Sequence, residues 1–250
     1  MTILAARCHH RQTILGNSMI DYSFPPQPSS FVPIAGSRQV FPVRRIFCVG
    51  RNYAEHAREM GFDPNREAPF FFTKPADAVV QDGATIAYPP LTENFHYEAE
   101  LVVAIGTEGR NLSVEASPLH IWGYAVGNDL TRRDLQIQAR EKGRPWDWGK
   151  AFDNSAVIGP IHPVDEVGHP DSGSIRLTVN GAVKQDADLA ELIWSVPEIV
   201  SILSHSVTIK PGDLIMTGTP AGVGPLVPRD VCTVSIEGLG DLITKIGPRE

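Results

Sequence analysis

The sequence has 250 residues, of which 42% are hydrophobic and 20% are charged, and its formal net charge is −7. This length and composition predict an ordinary globular protein and disfavour disordered, collagen-like and coiled-coil classes. The negative charge argues against broad nucleic-acid binding, although a locally positive site could still bind a small anion. No apolar run approaches the roughly 18 residues that span a bilayer. Three scattered cysteines without a CxxC pair favour a reducing cytoplasm over a disulfide framework or a zinc motif.

The N-terminal part of the chain carries little functional signal. Residues 1–20 lack the continuous apolar centre of a secretory signal, and the proline-rich residues 24–30 predict an extended linker. We therefore expect residues 1–42 to form an arm or small lobe, and residues 43–250 to form the main domain.

A predicted helix over residues 53–60 carries the first candidate catalytic pair. The helix follows a short buried strand at residues 46–50, and Asn52 is expected to cap it. His56 and Glu59 are three residues apart, so their side chains can meet on one helix face. A carboxylate that orients an imidazole makes it a better general base toward water. An exposed ion pair on a surface helix explains the same spacing.

An aromatic strand that starts near Pro69 ends at Lys74. Because Pro75 follows, Lys74 is expected to be extended, which favours a fixed side chain at the strand end. A solvated lysine at a strand terminus is the alternative.

The most informative stretch is residues 95–105. Its second half is an apolar, β-branched run, which predicts a strand buried on both faces. At its start, Glu98 and Glu100 are two residues apart and so share one strand face, where they repel each other unless a cation lies between them. A divalent metal ion would supply that cation. A solvated edge strand with an acidic outer face is the alternative.

A third carboxylate follows the next predicted strand, residues 121–127. Asp129 stands at the end of that strand and could complete an oxygen-ligand site for magnesium or calcium. It also precedes a predicted helix over residues 131–142, so an N-cap role explains it equally well.

The same helix carries a polar stripe of Arg133, Gln136 and Arg140, spaced i, i+3 and i+7. The stripe either faces the carboxylates or is a solvated helix face. Residues 143–153 then combine glycine, two tryptophans and Lys150, which is typical of a substrate-facing loop but also of a packed turn.

The C-terminal third indicates architecture. Asn180 and Gly181 predict a hairpin, residues 195–198 have capping-box spacing ahead of a helix, and two further strands are predicted near residues 231–236 and 242–246. Strands outnumber helices and do not alternate with them. We therefore predict a β-rich α+β fold.

Several ordered motifs together resemble the fumarylacetoacetate hydrolase superfamily over about residues 45–247. They are residues 49–53 followed by His56 and Glu59, Lys74 with Pro75, and residues 96–100, 127–129, 133–136, 149–152 and 217–224. Residues 51–61 and 143–153 are similar to the fumarylpyruvate hydrolases of the gentisate pathway within this superfamily. One departure is Tyr97, where many relatives have a second histidine. Because this side chain should face away from both glutamates, we expect no effect on the metal.

The resemblance implies the fold and the roles of the candidate residues. The fold would be a mixed β-sandwich roll, and residues 43–250 would be the catalytic domain. The implied metal ligands are Glu98, Glu100 and Asp129, with Mg²⁺ expected and Mn²⁺ or Ca²⁺ as alternatives. The implied catalytic residues are His56, Glu59 and Lys150. The candidate substrate-binding residues are Arg51, Lys74, Arg133, Gln136, Arg144 and Thr219.

The implied activity is metal-dependent hydrolysis of the carbon–carbon bond of an acylpyruvate, with fumarylpyruvate giving fumarate and pyruvate. Arg51, Lys74 and Arg144 are candidates to bind the distal carboxylate of that substrate. A cytoplasmic homodimer that binds a small anionic 2-keto acid, and neither nucleic acid nor membrane, is expected. Two alternatives remain: a decarboxylase of an oxaloacetate-type 2-keto acid, and a metal-stabilised binding protein without turnover.

Overall fold

The computed structural model describes residues 22–61 and 68–249, together with the backbone of two short strands before residue 22. The strands are β1 (Ile14–Leu15), β2 (Ser18–Met19), β3 (Phe31–Pro33), β4 (Val40–Pro42), β5 (Arg45–Gly50), β6 (Phe70–Lys74), β7 (Val79–Gln81), β8 (Thr85–Tyr88), β9 (Phe95–Tyr97), β10 (Ala99–Ile105), β11 (Ile121–Asp129), β12 (Thr131–Arg132), β13 (Ala156–Ile158), β14 (His162–Pro163), β15 (Ser174–Val179), β16 (Ala182–Asp188), β17 (Asp213–Met216), β18 (Gly224–Pro225), β19 (Val231–Ile236) and β20 (Gly240–Arg249). The helices are α1 (Ala54–Glu59), α2 (Arg133–Glu141), α3 (Asp147–Lys150), α4 (Val164–Val167) and α5 (Val196–Ser206).

The central sheet joins distant parts of the chain. Its strand order is β6-β5-β17-β10-β11-β13-β7, with β14 paired to β11. β17 lies between β5 and β10, parallel to the first and antiparallel to the second. The Arg45 guanidinium contacts the Asp213 carboxylate at 2.9 Å where β5 and β17 begin. A late strand therefore occupies the middle of a sheet whose other strands come from the first two-thirds of the chain.

A second sheet, of order β16-β15-β19-β20-β8, faces the central sheet across the main hydrophobic core. Val103 and Tyr124 of the central sheet and Leu177, Val234 and Leu242 of the second sheet are buried together in this core. The predicted β-rich α+β fold with its mixed β-sandwich roll is confirmed.

β10 is buried on both faces, as its apolar run predicts. Leu101, Val103 and Ile105 belong to the main core, whereas Val102 and Ala104 belong to a second, smaller core on the other side of the sheet. The β3–β4 hairpin contributes to this second core. The hairpin thus packs on the main domain, and the proposed boundary between residues 42 and 43 stays a prediction.

Two sequence-based expectations about local structure are wrong. The strand expected to contain both Glu98 and Glu100 begins only at Ala99, so Glu98 lies between β9 and β10, which belong to different sheets. Asn52 does not cap α1, because its amide donates to the backbone oxygens of Trp194 and Thr217 and ties three loops together instead.

Other local predictions are confirmed. The Asn180 and Gly181 turn joins β15 to β16, and Ser195 and Glu198 form a capping box at the start of α5. Within the described residues, no helix is long and apolar enough to cross a bilayer. The N-terminal arm expected for residues 1–42 lies outside the described residues over most of its first half.

Candidate active site

Antiparallel pairing of β10 with β11 brings three carboxylates together. The register pairs Ala99 with Asn128, so Asp129 lies beside Glu98, and the Asp129 amide donates to the Glu98 carbonyl at 2.9 Å. Glu98, Glu100 and Asp129 each offer an oxygen within 4.8 Å of the others, and all three are buried. Glu98 lies between β9, in the small β12-β9-β18 sheet, and β10, in the central sheet, so its carboxylate lies where these two sheets meet. Asp129 ends a strand and does not cap α2, which begins four residues later.

Three cations surround this cluster. The Lys150 ammonium donates to Glu98 Oε2 at 2.7 Å and to Asp129 Oδ2 at 2.8 Å. Lys74 lies 2.8 Å from Asp129 Oδ1 and also donates to the backbone oxygen of Leu130. Arg133 pairs with Glu98 Oε1. The cluster is a buried network in which each cation holds a carboxylate in place.

The cations act unequally on the carboxylates. Burial works to raise the pKa of Glu98, but Lys150 and Arg133 outweigh it and hold that pKa below its usual range. Burial, followed by the charges of Asp129 and Glu98, raises the pKa of Glu100 well above its usual range. Glu100 has no salt bridge to a described residue, and its recorded partner is the Gly218 amide at 2.7 Å. Glu100 is therefore the member of the cluster whose ionised form most needs a further cation beside it.

The donor set fits a hard divalent cation. The buried Asp129 Oδ1 has the Lys74 ammonium 2.8 Å away but accepts no hydrogen bond of good geometry, and Glu100 is the carboxylate without a cationic partner among the described residues. Carboxylate oxygens from two adjacent strands are ligands that Mg²⁺, Mn²⁺ or Ca²⁺ accepts, with water or substrate oxygens completing the shell.

His56 and Glu59 form a hydrogen-bonded pair on α1. His56 Nδ1 lies 3.1 Å from Glu59 Oε2, and the Gly222 amide donates to the same carboxylate at 3.2 Å. Burial works to raise the pKa of Glu59, but the bonds from His56 and Gly222 outweigh it and lower that pKa. The ionised carboxylate holds the proton of His56 on Nδ1 and leaves Nε2 free to accept another. Tyr97 supports the same loop, because its hydroxyl donates to the Gly222 carbonyl at 3.1 Å.

One cleft, of about 500 Å³ with its open mouth, joins the carboxylates to the His56 side chain. The sequence-predicted residues that line it are Arg51, His56, Glu98, Glu100, Arg133, Gln136, Lys150 and Thr219. Met60, Phe72, Ile137 and Trp146 supply apolar walls. A 2-oxo acid in this cleft would therefore meet the acidic cluster, the basic side chains and the imidazole together.

Two of the predicted substrate-binding residues lie elsewhere. Lys74 is buried behind the carboxylates, where it pairs with Asp129, and it is not among the residues that line the cleft. Arg144 is exposed and lines a separate outer groove with Leu91 and Trp148. The structure therefore gives Lys74 a supporting place beneath the cluster, and it gives Arg144 a place outside the cleft.

The segment predicted as a substrate-facing loop contains a short helix, α3, that packs tightly on α2. A Cβ on Gly149 would lie 2.8 Å from the backbone nitrogen of Gln136, so only glycine permits this approach. The approach carries Lys150, the next residue, to the carboxylates. Gln136 accepts from Arg133 at 2.5 Å, which links α2 to the same network.

The glycine-rich loop serves the site in a way that the sequence did not predict. In this loop, residues 217–224, the Gly218 amide donates a hydrogen bond to the Glu100 carboxylate. Gly218 has a φ of +99°, which only glycine adopts readily. Thr219 accepts from Gln185 Nε2 at 2.8 Å. Gln185 had no signal in the sequence, because its role depends on a contact 34 residues away.

The fold and the site define a class of protein that comparison with known families identifies. The family model described as fumarylacetoacetate (FAA) hydrolase, C-terminal, matches residues 45–247. The chain belongs to the fumarylacetoacetate hydrolase family.

Within this family, the chain is similar to fumarylpyruvate hydrolases. It is 47% identical over 188 residues to a fumarylpyruvate hydrolase from Ralstonia sp., covering 75% of this chain and 97% of that protein. The crystal structure of fumarylpyruvate hydrolase from Pseudomonas aeruginosa in complex with Mn²⁺ and pyruvate is 54% identical, with a TM-score of 0.90, and the match covers 92% of this chain and 100% of that one. These relatives confirm the predicted enzyme class, a hydrolase acting on carbon–carbon bonds.

A more distant relative has another activity in its name. The mitochondrial oxaloacetate tautomerase of Homo sapiens is 37% identical over 203 residues, covering 81% of this chain and 91% of that protein. Family membership alone therefore does not select one substrate.

Proposed function

We propose that this protein hydrolyses fumarylpyruvate to fumarate and pyruvate and that it uses a bound divalent cation, with Mg²⁺ as the preferred ion. The observation that carries the proposal is a single cleft lined both by Glu98 and Glu100 of the buried carboxylate triad and by His56, which is hydrogen-bonded to Glu59. The pyruvate and Mn²⁺ in the structure of the Pseudomonas aeruginosa relative support the same substrate class and cofactor class.

His56 and Glu59 are assigned to the activation of water. Glu59 keeps His56 Nδ1 protonated, so Nε2 is the nitrogen that acts as the base, and it takes a proton from a water molecule as that water attacks the C4 carbonyl. The imidazolium that forms is stabilised by the ionised Glu59 carboxylate. Since the Gly222 amide holds Glu59, the loop at residues 217–224 fixes the direction of the imidazole.

The other polar residues hold the substrate and the ligands. When bound to Glu98, Glu100 and Asp129, a divalent cation would chelate the 2-oxo acid end and stabilise the negative charge of the pyruvate enolate that leaves. Arg133 and Gln136 line the cleft beside Glu98 and can donate hydrogen bonds to the oxyanion formed at C4. Lys150 holds Glu98 and Asp129 in place and also lines the cleft, where its ammonium is assigned to protonate the departing carbon.

The test is product analysis with the purified protein. With Mg²⁺ or Mn²⁺ present, we expect equimolar fumarate and pyruvate from fumarylpyruvate, and no turnover after the metal is removed with EDTA until either ion is restored. Failure to cleave any acylpyruvate with either metal would overturn the proposal.

A second candidate activity is keto–enol tautomerisation of oxaloacetate, which the similarity to the human tautomerase favours. That reaction leaves the carbon skeleton intact, whereas hydrolysis makes two products and decarboxylation releases CO₂. With oxaloacetate, the ultraviolet absorbance of the enol reports tautomerisation, and pyruvate together with CO₂ reports decarboxylation; cleavage of fumarylpyruvate in a parallel assay reports hydrolysis. If the protein converts oxaloacetate but cleaves no acylpyruvate, the activity on oxaloacetate replaces hydrolysis as the proposed function.

The resemblance to fumarylpyruvate hydrolases supports three further parts of the proposal. They are a homodimeric assembly, a cytoplasmic location and a place in gentisate breakdown. Sedimentation analysis tests the first part, and the presence of a neighbouring ring-cleavage dioxygenase gene tests the last.

A further inference from the structure

Arg140 is a cleft residue without a role in the chemistry described above. It lies on α2, seven residues after Arg133 and four after Gln136, and all three side chains line the same cleft. Arg133 contacts Glu98 and so marks the end of the cleft at the carboxylates. With a rise of about 1.5 Å per residue, the backbone of Arg140 lies roughly 10 Å farther along the helix.

Apolar side chains line the same cleft. Ile137 lies between the two arginines on α2, Met60 follows α1, and the tilted rings of Phe72 and Trp146 have their centroids 5.6 Å apart. An apolar wall suits a flat, uncharged carbon chain rather than a hydrated group. The cleft therefore runs from the acidic cluster, past hydrophobic side chains, to a cation.

This order of groups matches a dicarboxylate acylpyruvate. Its 2-oxo acid end belongs at the carboxylate cluster, its unsaturated carbons match the apolar wall, and its second carboxylate needs a cation at the far end. Fumarylpyruvate has seven carbons and spans roughly 7–8 Å when extended, given carbon–carbon bonds of about 1.5 Å. The distance along α2 accommodates that span together with the length of the arginine side chain.

We infer that Arg140 binds the distal carboxylate of the substrate and sets the preference for dicarboxylate over monocarboxylate acyl groups. The inference rests on the proposed function and replaces Lys74 and Arg144 as candidates for this contact. Lys74 lies behind the metal-binding carboxylates, and Arg144 lines the outer groove. Arg51, whose guanidinium lies 5.2 Å from the Phe70 ring centroid and which also lines the cleft, is the second cation in reach.

The experiment compares two acylpyruvates. The ratio of kcat/KM for fumarylpyruvate to kcat/KM for acetylpyruvate, which lacks the distal carboxylate, is measured for the wild type and for Arg140→Gln. Loss of a charged hydrogen bond predicts a fall in this ratio of roughly 10- to 150-fold. Arg140→Lys keeps the charge but not the bidentate geometry. Its kcat/KM ratio should therefore lie between the ratios of the wild type and Arg140→Gln.

Lys142→Gln is the matched control. Lys142 lies two residues from Arg140, carries the same charge and lines the outer groove instead of the cleft. Its ratio should stay within about threefold of the wild type, since an exposed charge is screened by solvent. Melting temperatures of all variants show whether Arg140 acts only as a stabilising cation at the end of α2.

Direct binding provides a readout that does not depend on turnover. Calorimetric titration with fumarate should show weaker binding to Arg140→Gln by a factor similar to the change in ratio, while the affinity for pyruvate is retained. An unchanged ratio and unchanged fumarate affinity would overturn the inference and leave the hydrolase proposal intact. If the wild type cleaves neither acylpyruvate, the proposed function fails, and the fumarate titration alone decides the role of Arg140.

Discussion

Glu59 orients the His56 imidazole, and the amide of Gly222 holds Glu59. A single substitution at His56 measures what this imidazole contributes to catalysis. His56→Ala should lower kcat for fumarylpyruvate by about 10²- to 10⁴-fold, because general base catalysis contributes that much. KM should change far less, since the proposed mechanism assigns substrate binding to the metal site and the basic residues. Steady-state kinetics with Mg²⁺ present checks both numbers.

The control for this substitution is His205→Ala, which removes an exposed histidine from the end of α5. It should keep wild-type kinetics. Wild-type turnover by His56→Ala would remove the His56–Glu59 pair from the mechanism.

The two described cysteines, Cys48 and Cys232, should be inert in the native protein. Burial, followed by the charge of Asp129, raises the pKa of Cys48 well above its usual range, and burial raises the pKa of Cys232 to about 12. Both thiols are therefore neutral at pH 8, where only the thiolate reacts. In a Cys8→Ser background, Ellman's reagent should find no reactive thiol before unfolding and two after it. A fast reaction with the native protein would contradict this prediction.

At the scale of elements, Asp134 anchors the start of α2 to the preceding loop. Its carboxylate accepts from the Thr92 hydroxyl at 2.5 Å and from the amides of Glu93 and Leu135 at 2.9 Å. Burial works to raise the pKa of Asp134, but these three bonds outweigh it and lower that pKa. Asp134→Ala should lower the free energy of unfolding by about 1–2 kcal/mol at pH 7, the usual cost of losing hydrogen bonds to a partly buried carboxylate.

The effect of Asp134→Ala should depend on pH in one direction. Because the folded-state pKa is lowered, the stabilisation is complete above the ordinary carboxyl pKa of about 4 and disappears as the pH falls through the lower folded value. Urea unfolding at pH 7 and below pH 4 measures the difference. Asp165→Ala, in the first turn of α4 and exposed, should show little loss at either pH. An equal loss for Asp134→Ala at both pH values would refute the assignment.

Some elements were predictable because their signal is local. The Asn180 turn and the capping box at Ser195 depend on a few adjacent residues, and the apolar run of β10 shows its burial on both faces. The break at Glu98 was not predictable, because it arises from β9 pairing with β12 and β18 in another sheet. The start of α2 was placed two residues early for a similar reason, since Thr131 and Arg132 pair with β9.

The site was predictable in part for the same reason. The acidic residues, the histidine and Lys150 stand in recognisable motifs. Lys74 was predicted to contact substrate, yet it pairs with Asp129, because the sequence does not show that β6 ends behind the cluster. Gln185 and the amide of Gly218 reach the site through contacts between distant segments, which no local pattern records.

At the scale of the whole molecule, the carboxylate cluster links β10 and β11 of the central sheet at the point where the chain enters from the smaller sheet that contains β9. A cation that binds only the folded state should therefore stabilise the whole domain. At a free Mn²⁺ concentration 100 times the Kd, the gain is about 2.7 kcal/mol, which corresponds to a rise in Tm of about 5–10 °C for a chain of this size. Differential scanning calorimetry with and without Mn²⁺ measures it.

Glu100→Gln should lose most of this shift, because it removes the carboxylate without a cationic partner among the described residues. Glu166→Gln, an exposed change on α4, should retain the shift. A rise in Tm that is the same in Glu100→Gln and in the wild type would place the stabilising ion elsewhere.

The location of β17 has a consequence for synthesis of the protein. This strand fills the gap between β5 and β10 but is made about 110 residues after β10 and about 165 residues after β5. Until the ribosome releases residues 213–216, each of the earlier strands has one edge with unsatisfied backbone groups. Nascent chains of this protein should consequently be prone to aggregation until these residues can pair, because such open edges favour association with other chains.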